Sequence, residues 1–426
     1  MKLTKLEKSW ILYDVANSAF ILLVSTLLPI YFDYLASSAG LSQSDYLSYW
    51  GFAGSAATIL VAVIGPICGT LADQRGFKKP LFLLSLGLGV AGCAMLGVAW
   101  GWLSFLIIFV IAKVGYSSSI VFYDSMLTEI TTHTRMDRVS TLGYALGYIG
   151  SVIPFVVCLV VVLGYEAFGI SQITALIVSF LITAVWWAMC SLPLLKGYRQ
   201  SAYQESTGNP VAATFRQLGK SFREVSKQKH IFMYLLAFFF FIDGVYTIID
   251  MATAYGKSLG LDTTGLLLAL LVTQIVAFPC SIIFGRFSSK YDTGLLIKIC
   301  ILAYTGIALF AVFLTQQWQF WVLAVLVGMF QGGIQALSRS YLGKIIPAER
   351  SGEYYGLMDI CGKGASFVGT TLVAVVSQLT EGMRISVFGL PVVNTGVAVG
   401  SIAVLFAIGF VLFCIADKLN KEKFAR

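Results

Sequence analysis

The eleven residues Gly69-Thr-Leu-Ala-Asp-Gln-Arg-Gly-Phe-Lys-Lys79 separate two long apolar segments and contain three basic side chains. The preceding segment runs from Tyr49 to Leu71, and the following one runs from Pro80 to Ala99. Each is close to the roughly twenty residues that a helix needs to cross the hydrocarbon layer of a membrane. The stretch is therefore predicted to be a short connection between two transmembrane helices.

Apolar segments of this length recur along the whole chain, and twelve are counted. The chain is 58% hydrophobic and 12% charged, with a mean hydropathy of +0.84, which excludes an ordinary soluble globular protein. Because the segments are continuously apolar rather than alternating, helices are favoured over the strands of a membrane barrel. The predicted spans are Trp10 to Leu35, Tyr49 to Leu71, Pro80 to Ala99, Leu103 to Leu127, Val139 to Leu163, Gln172 to Leu194, Ile231 to Ala254, Gly265 to Phe284, Leu295 to Leu314, Phe320 to Leu342, Tyr355 to Leu379 and Val392 to Ala416.

Basic side chains are confined almost entirely to alternate connections between the spans. Of the 29 Lys and Arg residues, 24 lie in one set of connections, in the span ends next to them or at the two chain ends, whereas Lys257 and Arg384 lie in the other set. Cytoplasmic loops of membrane proteins are enriched in Lys and Arg, so both termini are predicted to be cytoplasmic. The net charge of +8 follows from this distribution. We expect the basic face to meet the anionic lipids of the inner leaflet and not nucleic acid.

A long basic connection divides the spans six and six. We expect an N-terminal six-helix bundle over residues 1–195, a cytoplasmic linker over 196–230 and a C-terminal six-helix bundle over 231–426. Asn209 and Pro210 are typical of a helix start within the linker. Apolar residues follow at helical spacing: Phe215, Leu218, Phe222 and Val225. This pattern predicts an amphipathic helix on the inner membrane surface, with a solvated linker of chance periodicity as the alternative.

Several stretches in both halves resemble a known family. The connection from Gly69 to Lys79 resembles the signature loop of the major facilitator superfamily. Finer similarity is to the vacuole-effluxer-like branch of that superfamily, which includes vacuolar amino-acid effluxers. The stretches that carry it are Trp10-Ile-Leu-Tyr13-Asp14-Val-Ala-Asn17-Ser18-Ala-Phe20, Gly143-Tyr-Ala-Leu-Gly147-Tyr-Ile-Gly150 and Gln331-Gly-Gly-Ile-Gln335-Ala-Leu-Ser338-Arg339-Ser340. The resemblance implies a transporter of two helical bundles whose first, fourth, seventh and tenth spans line a central cavity.

The signature loop also suggests how a gate would work. Gly69 and Gly76 allow close helix approach and a tight turn, and Asp73 is suited to accept hydrogen bonds from a helix N-terminus of the opposite bundle. The corresponding loop of the second half has Ser289 where Asp73 would repeat, which puts a symmetric latch in doubt. The predicted gating residues are Gly69, Asp73, Arg75, Gly76, Asp14 and Asp124, although Asp14 and Asp124 have packing as their alternative role.

Two residues of opposite charge fall near the middle of predicted spans. Lys113 is about eleven residues into the fourth span and Asp243 about thirteen into the seventh, where an ionisable side chain costs roughly 2.5 to 3.5 kcal/mol. We predict that Lys113 meets the carboxylate of a small zwitterion and that Asp243 meets its ammonium group. A salt bridge between the two residues is the structural alternative. The other predicted substrate-binding residues are Asn17, Tyr144, Tyr148, Tyr246, Gln331 and Gln335.

Energy coupling is predicted to use protons. Burial favours the protonated form of a carboxylate, so Asp243, and after it Asp250, is the expected proton carrier. The sequence has no GxxxxGK[ST] loop and no cluster with metal-ligand spacing. We therefore expect no enzyme, cofactor or metal, and interpret the chain as a secondary transporter that works by alternating access as a monomer.

The expected location is a bacterial-type plasma membrane or an organellar membrane, and the expected cargo is an amino acid or a related zwitterion. Two alternatives stay open at the level of sequence. An exporter of amphiphilic or drug-like compounds would use the abundant aromatic side chains, and a membrane receptor would bind a ligand without transporting it.

Overall fold

The computed structural model describes residues 2–205, 227–380, 385–387 and 390–424. The first half contains α1 (Lys5–Ser38), α2 (Gln43–Ala72), α3 (Lys78–Met95), α4 (Trp102–Ser125), α5 (Leu127–Ile130), α6 (Met136–Leu163) and α7 (Gln172–Gly197). The second half contains α8 (Lys229–Ser258), α9 (Thr263–Phe287), α10 (Thr293–Ala311), α11 (Gln317–Ile345), α12 (Ser351–Leu379), α13 (Asn394–Gly400) and α14 (Ile402–Phe424). The predicted amphipathic helix of the linker lies outside the described residues.

Most of these helices are long enough to cross a membrane. Eleven segments of the described chain combine sufficient length with an apolar composition. The remaining long helix, α12, has 29 residues, and its apolar part is Val368–Leu379. The predicted all-α membrane architecture is confirmed. The described residues also contain a short antiparallel strand pair that was not predicted from the sequence, in which β1 (Ile385–Val387) pairs with β2 (Leu390–Val392).

Polar caps extend several helices beyond the apolar runs that predicted them. The Thr4 side chain accepts a hydrogen bond from the backbone N–H of Glu7, and the Glu7 carboxylate accepts one from the backbone N–H of Thr4. Ser42 and Asp45 repeat this reciprocal arrangement at the start of α2. Such a capping box satisfies N–H groups that have no partner within the helix. As a result α1 begins at Lys5 rather than at Trp10.

The helices form two compact units. Unit 1 consists of Met1–Thr132, Leu146–Arg216 and Pro347–Gly356, and unit 2 consists of His133–Ala145, Gln217–Ile346 and Leu357–Arg426. Each unit therefore contains the beginning of one helix from the other half of the sequence: α12 begins in unit 1 and α6 begins in unit 2. The bundle boundaries expected from the sequence stay a prediction.

Large aromatic side chains build the interior of each unit. In unit 1 the Trp10 ring stacks on Tyr123 with 4.3 Å between centroids, and its Nε1–H donates to the Tyr123 carbonyl at 2.9 Å. In unit 2 the Tyr234 ring lies 5.0 Å from that of Tyr341, and its hydroxyl donates to the Ser338 carbonyl at 2.6 Å. These contacts join the beginning of α1 to the end of α4 and the beginning of α8 to the end of α11.

Candidate functional site

Asp243 is a buried carboxylate in the middle of α8, within unit 2, and its side chain has no exposed surface. Its Oδ1 accepts hydrogen bonds from the backbone N–H of Gly369 at 3.0 Å and from the Thr247 hydroxyl at 3.3 Å. A Cβ on Gly369 would overlap that hydroxyl, so glycine lets the α12 backbone reach the carboxylate. The other oxygen, Oδ2, is buried without a hydrogen-bond partner among the described residues. One oxygen is thus held in place while the other is left to take a proton or a ligand.

Lys113 is half-buried in α4, within unit 1. Its ammonium nitrogen lies 5.7 Å from the centroid of the Phe109 ring. The same nitrogen lies beside α2, since a Cβ built on Gly54 would stand 3.9 Å from it. Lys113 and Asp243 belong to different compact units, and the zwitterion that we expect to bridge them stays a prediction.

The other predicted substrate residues occupy different environments. Asn17 is buried in α1, and its Nδ2–H donates to the Tyr13 carbonyl one turn earlier at 2.8 Å. Tyr144 lies beneath the Arg339 guanidinium, whose carbon is 4.4 Å from the ring centroid. Gln331 is buried in α11. Three more are half-buried, namely Tyr148, Tyr246 and Gln335.

The second candidate for proton coupling differs from the first. Asp250 lies on α8 seven residues after Asp243, and its side chain is exposed. Among the residues predicted at the gate, Asp14 is buried in α1 and Asp124 is half-buried near the end of α4. Asp243 is therefore the candidate proton carrier with the stronger desolvation.

Asp73 joins the end of α2 to the beginning of α12, both within unit 1. Its Oδ1 accepts the backbone N–H of Gly352 at 2.8 Å, and its Oδ2 accepts that of Glu353 at 2.9 Å. A carboxylate in this position satisfies free N–H groups and lies at the positive end of the helix dipole. Burial raises the pKa of Asp73 to about 7, against the lowering influence of Lys78 and of the two N–H donors.

Glycines bring the two backbones together at this point. A Cβ on Gly69 would overlap the backbone oxygen of Gly352, and a Cβ on Gly352 would overlap that of Gly69. Gly76 has φ of +82°, a conformation that glycine adopts at little cost. These three glycines and Asp73 have the geometry that a latch needs, while their gating role stays a prediction.

A buried lysine extends this contact into an ionic network. The Lys78 ammonium is fully buried and donates to Glu129 Oε1 at 2.7 Å and to the Ser351 hydroxyl at 2.9 Å. Its distance to Asp73 Oδ1 is 3.8 Å. We call Asp73, Lys78, Glu129, Ser351 and Gly352 the Asp73 cluster. Because it pairs one buried cation with two buried carboxylates, loss of the lysine would leave uncompensated charge.

The beginning of the linker is tied to the same cluster. Glu129 Oε2 accepts the backbone N–H groups of Ser201 at 2.6 Å and Ala202 at 3.2 Å. Gln200 Oε1 accepts the N–H of Gly76 at 2.9 Å, and its Nε2–H donates to the Ala72 carbonyl at 2.9 Å. The chain after α7 is therefore hydrogen-bonded to the connection between α2 and α3.

Unit 2 contains a cluster of reversed arrangement around the start of α6. Asp137 pairs with the Lys344 ammonium and accepts the hydroxyls of Thr293 and Ser340, each at 2.6 Å. These four residues form the Asp137 cluster. A Cβ on Gly285 would overlap the Thr141 hydroxyl one turn further along α6. Here the carboxylate belongs to the helix start and the cation to the end of α11, and Ser289 is not one of the four residues.

A buried arginine holds the next turn of α6. The Arg339 Nε–H donates to the Ser140 hydroxyl at 2.9 Å, and an Nη2–H donates to the Ser140 carbonyl at 3.0 Å. Neither Arg339 nor the Asp137 cluster was predicted from the sequence to be functional. The adjacent Asp137 and Arg138 at the start of the fifth span were the available signal, because charges at a helix start commonly serve as caps or partners.

Comparison with known proteins decides the family. A family model described as "Vacuole effluxer Atg22 like" matches residues 4–408. The chain belongs to this Atg22-like family of the major facilitator superfamily. It is also 39% identical over 422 residues to "Uncharacterized MFS-type transporter YxiO" of Bacillus subtilis, covering 98% of this chain and 96% of that protein. Members of this superfamily are secondary transporters, so the Atg22-like chain is a multi-pass membrane protein that transports a solute.

More distant relatives and solved structures agree on the fold. The chain is 26% identical over 283 residues to "Autophagy-related protein 22-1" of Emericella nidulans, a match covering 59% of this chain and 46% of that protein. The structure of the Escherichia coli fucose:proton symporter FucP matches with a TM-score of 0.71 at 17% identity, covering 97% of both chains. A bacterial homologue of the iron transporter ferroportin matches with a TM-score of 0.72 at 13% identity, covering 97% of this chain and 99% of that one. At these identities the structures support the fold and not a substrate.

Proposed function

We propose that this Atg22-like transporter moves a small zwitterionic solute, an amino acid or a related compound, by alternating access coupled to protons. The observation that carries the proposal is the buried Asp243 carboxylate, with one oxygen fixed by Gly369 and Thr247 and the other without a partner among the described residues. A carboxyl group in such surroundings favours its protonated form and loses the proton when water or a cation reaches it.

The nature of the solute is argued from charge. Lys113 supplies a cation that can meet a carboxylate, and Asp243 supplies an anion that can meet an ammonium group. The resemblance to vacuolar amino-acid effluxers favours the same class of solute. The relative in Bacillus subtilis supports a bacterial-type plasma membrane as the location.

The two polar clusters suggest where the protein opens and closes. Alternating access requires a contact that forms in one state and breaks in another. Two such contacts are made by a few polar groups at helix ends. Asp73 contacts the start of α12, and Asp137 contacts the start of α10 and the end of α11. We propose that both clusters hold the predicted cytoplasmic side and separate during transport.

The test uses purified protein in liposomes that contain a pH-sensitive dye. Pooled amino acids are added outside, and the internal pH is followed in the native chain, Asp243→Asn and Lys113→Gln. Matched controls are Glu166→Gln and Lys257→Gln, which remove exposed charges outside the predicted cytoplasmic set. We expect an amino-acid-dependent proton signal that disappears in Asp243→Asn and Lys113→Gln and persists in both controls.

Counterflow of a radiolabelled amino acid separates proton coupling from solute binding. Exchange of solute across the membrane needs no net proton movement, so a residue that only carries the proton can be neutralised without loss of exchange. We expect Lys113→Gln to lose exchange. An unchanged proton signal in Asp243→Asn would contradict proton coupling through this residue. Binding of an amino acid without any flux in correctly inserted protein would identify a receptor, and flux confined to amphiphilic compounds would identify an exporter of that class.

A further inference from the structure

An open cleft of about 670 Å³ lies in unit 1 at the beginning of α3. One wall is the connection between α2 and α3, with Arg75 and Gly76, and the other is the chain just after α7, with Tyr203. Lys79 and Leu83, one turn apart on α3, form its base. The cleft is separate from the predicted solute site, and it shares Arg75 and Gly76 with the predicted gate.

The cleft presents two basic side chains that are weakly engaged. The Arg75 side chain is 70% exposed, and the carboxylate that it meets, Glu205, is 76% exposed and 3.7 Å away. Ion pairs this exposed contribute little. The guanidinium carbon also lies 5.3 Å from the centroid of the Tyr203 ring. Lys79 donates to the Tyr198 carbonyl at 3.2 Å, and no carboxylate within residues 2–205 or the other described ranges forms an ion pair with it. Both cations can therefore receive an anion.

The Gln200 side chain occupies the backbone N–H groups at the start of α3, next to the cleft. Its Oε1 accepts the N–H groups of Gly76 at 2.9 Å and Lys78 at 3.4 Å. The start of α3 therefore does not offer these N–H groups to a ligand. Recognition of an anion in the cleft therefore depends on the Arg75 and Lys79 side chains, which both line it.

An exposed apolar strip continues from the cleft along α3. Leu83 is 53% exposed and Leu84 is 60% exposed. One turn further, a Cβ on Gly87 would meet no atom within 4 Å, and Leu88 is 44% exposed. Apolar side chains on the outside of a spanning helix face lipid chains. A pair of cations directly above such a strip fits a molecule with an anionic head and a hydrocarbon tail.

We propose that this cleft binds an anionic phospholipid of the inner leaflet, with its phosphate between Arg75 and Lys79 and an acyl chain along Leu83 and Leu84. Arg is suited to bidentate phosphate recognition and Lys to a point contact. A lipid bound in the cleft would contact, through its headgroup, both the connection between α2 and α3 and the beginning of the linker. The group that the two cations would recognise is an anionic phosphate ester. A lipid supplies it as a phosphodiester headgroup, and a soluble phosphate monoester could supply it as well.

Binding is measured on delipidated full-length protein in a neutral detergent by native mass spectrometry, with phosphatidylglycerol as the probe and phosphatidylcholine of the same chains for comparison. The variant Arg75→Gln/Lys79→Gln removes both cations. The matched control Arg286→Gln/Lys290→Gln removes two exposed cations from the corresponding connection of the second half. Since each basic side chain near a membrane surface adds about a fivefold preference for anionic lipid, we expect roughly 30-fold weaker phosphatidylglycerol binding in the first variant only.

Two further variants make the assignment specific. Glu205→Gln removes the carboxylate beside Arg75 and is expected to strengthen phosphatidylglycerol binding. Leu83→Ser/Leu84→Ser is expected to weaken phosphatidylglycerol binding and to leave the binding of glycerol 1-phosphate unchanged. Equal loss in the two double charge variants would overturn the proposal, because it would indicate only general attraction to a basic surface. Glycerol 1-phosphate binding as tightly as the lipid would assign the cleft to a soluble phosphate ester instead.

Discussion

Replacement of Gly69 by alanine tests the contact between α2 and α12 most directly. The added Cβ would overlap the backbone oxygen of Gly352, and a backbone atom cannot rotate away as a side chain can. The two segments must separate by on the order of 1 Å to restore ordinary van der Waals contact. The displacement acts one turn from Asp73, which holds the N–H groups of Gly352 and Glu353 at 2.8 and 2.9 Å. Both hydrogen bonds would then exceed bonding distance.

The magnitude follows from those two hydrogen bonds. A hydrogen bond to a charged group is worth about 1.5 to 3 kcal/mol. Adjacent bonds are not additive, so we take the lower end of their sum, about 3 kcal/mol, as the destabilisation of this arrangement. This free energy corresponds to roughly a 100-fold change in the population of the closed contact.

Hydrogen exchange detected by mass spectrometry measures this population in the peptide that covers residues 347–356. The experiment is done at pH 8, above the pKa of about 7 for Asp73, so that the carboxylate is ionised. The matched control is Gly51→Ala in the same helix, where a Cβ would meet no atom within 4 Å. We expect exchange in this peptide to be roughly 100-fold faster in Gly69→Ala than in the native chain. Equal protection in Gly69→Ala and Gly51→Ala would refute the steric argument.

Two other predictions concern the polar clusters. Asp137→Asn leaves the Lys344 ammonium without its anion, and we expect it to lower the free energy of unfolding by about 3 kcal/mol, measured as a fall in Tm. The control Asp292→Asn removes an exposed partner of Lys421 and should change Tm little. Equal shifts in Tm would contradict the argument from burial. Burial raises the pKa of Asp73 from 3.8 to about 7. Between these two pH values the folded chain binds more protons than the unfolded chain. The contribution of Asp73 to stability therefore decreases as the pH rises from about 4 to about 7. The difference in Tm between the native chain and Asp73→Asn should therefore fall between pH 5 and pH 7.5, and a difference that is constant or rises would show that the carboxyl titrates outside this range.

Local sequence was sufficient to predict much of the fold, whereas the roles of the predicted site residues stay predictions. The spans follow from continuous apolar runs, and Gly69, Asp73 and Gly76 lie within one short stretch whose geometry depends on backbone conformation. Helix starts were less predictable, because α1 gains a turn from the capping box of Thr4 and Glu7, outside the apolar run. Asp243 could be singled out as a candidate from the sequence, because an aspartate in the middle of a membrane helix is energetically costly.

The remaining contacts depend on distances between elements that are remote in sequence. Asp137 meets Lys344 across 207 residues, and Lys78 meets Glu129 across 51. No periodicity within a single helix specifies such partners. A spacing of seven residues puts Asp250 on the same helix face as Asp243, yet Asp250 is exposed. Seven residues move it about 10 Å along the axis towards the helix end, and helical periodicity does not report that change of depth.

The hydrogen bonds between the linker and the first bundle bear on how this protein can be divided for biochemical work. Ser201 and Ala202 bind Glu129, and Gln200 binds the backbone on both sides of Asp73. If the chain were cut before Tyr198, these donors would no longer be covalently part of the N-terminal fragment. Glu129 would then have fewer hydrogen-bond donors. A break introduced after Glu205 would leave them on the fragment that needs them. Reporter insertions and split versions of the transporter therefore belong beyond Glu205, although the apolar spans alone would place the division ten residues earlier.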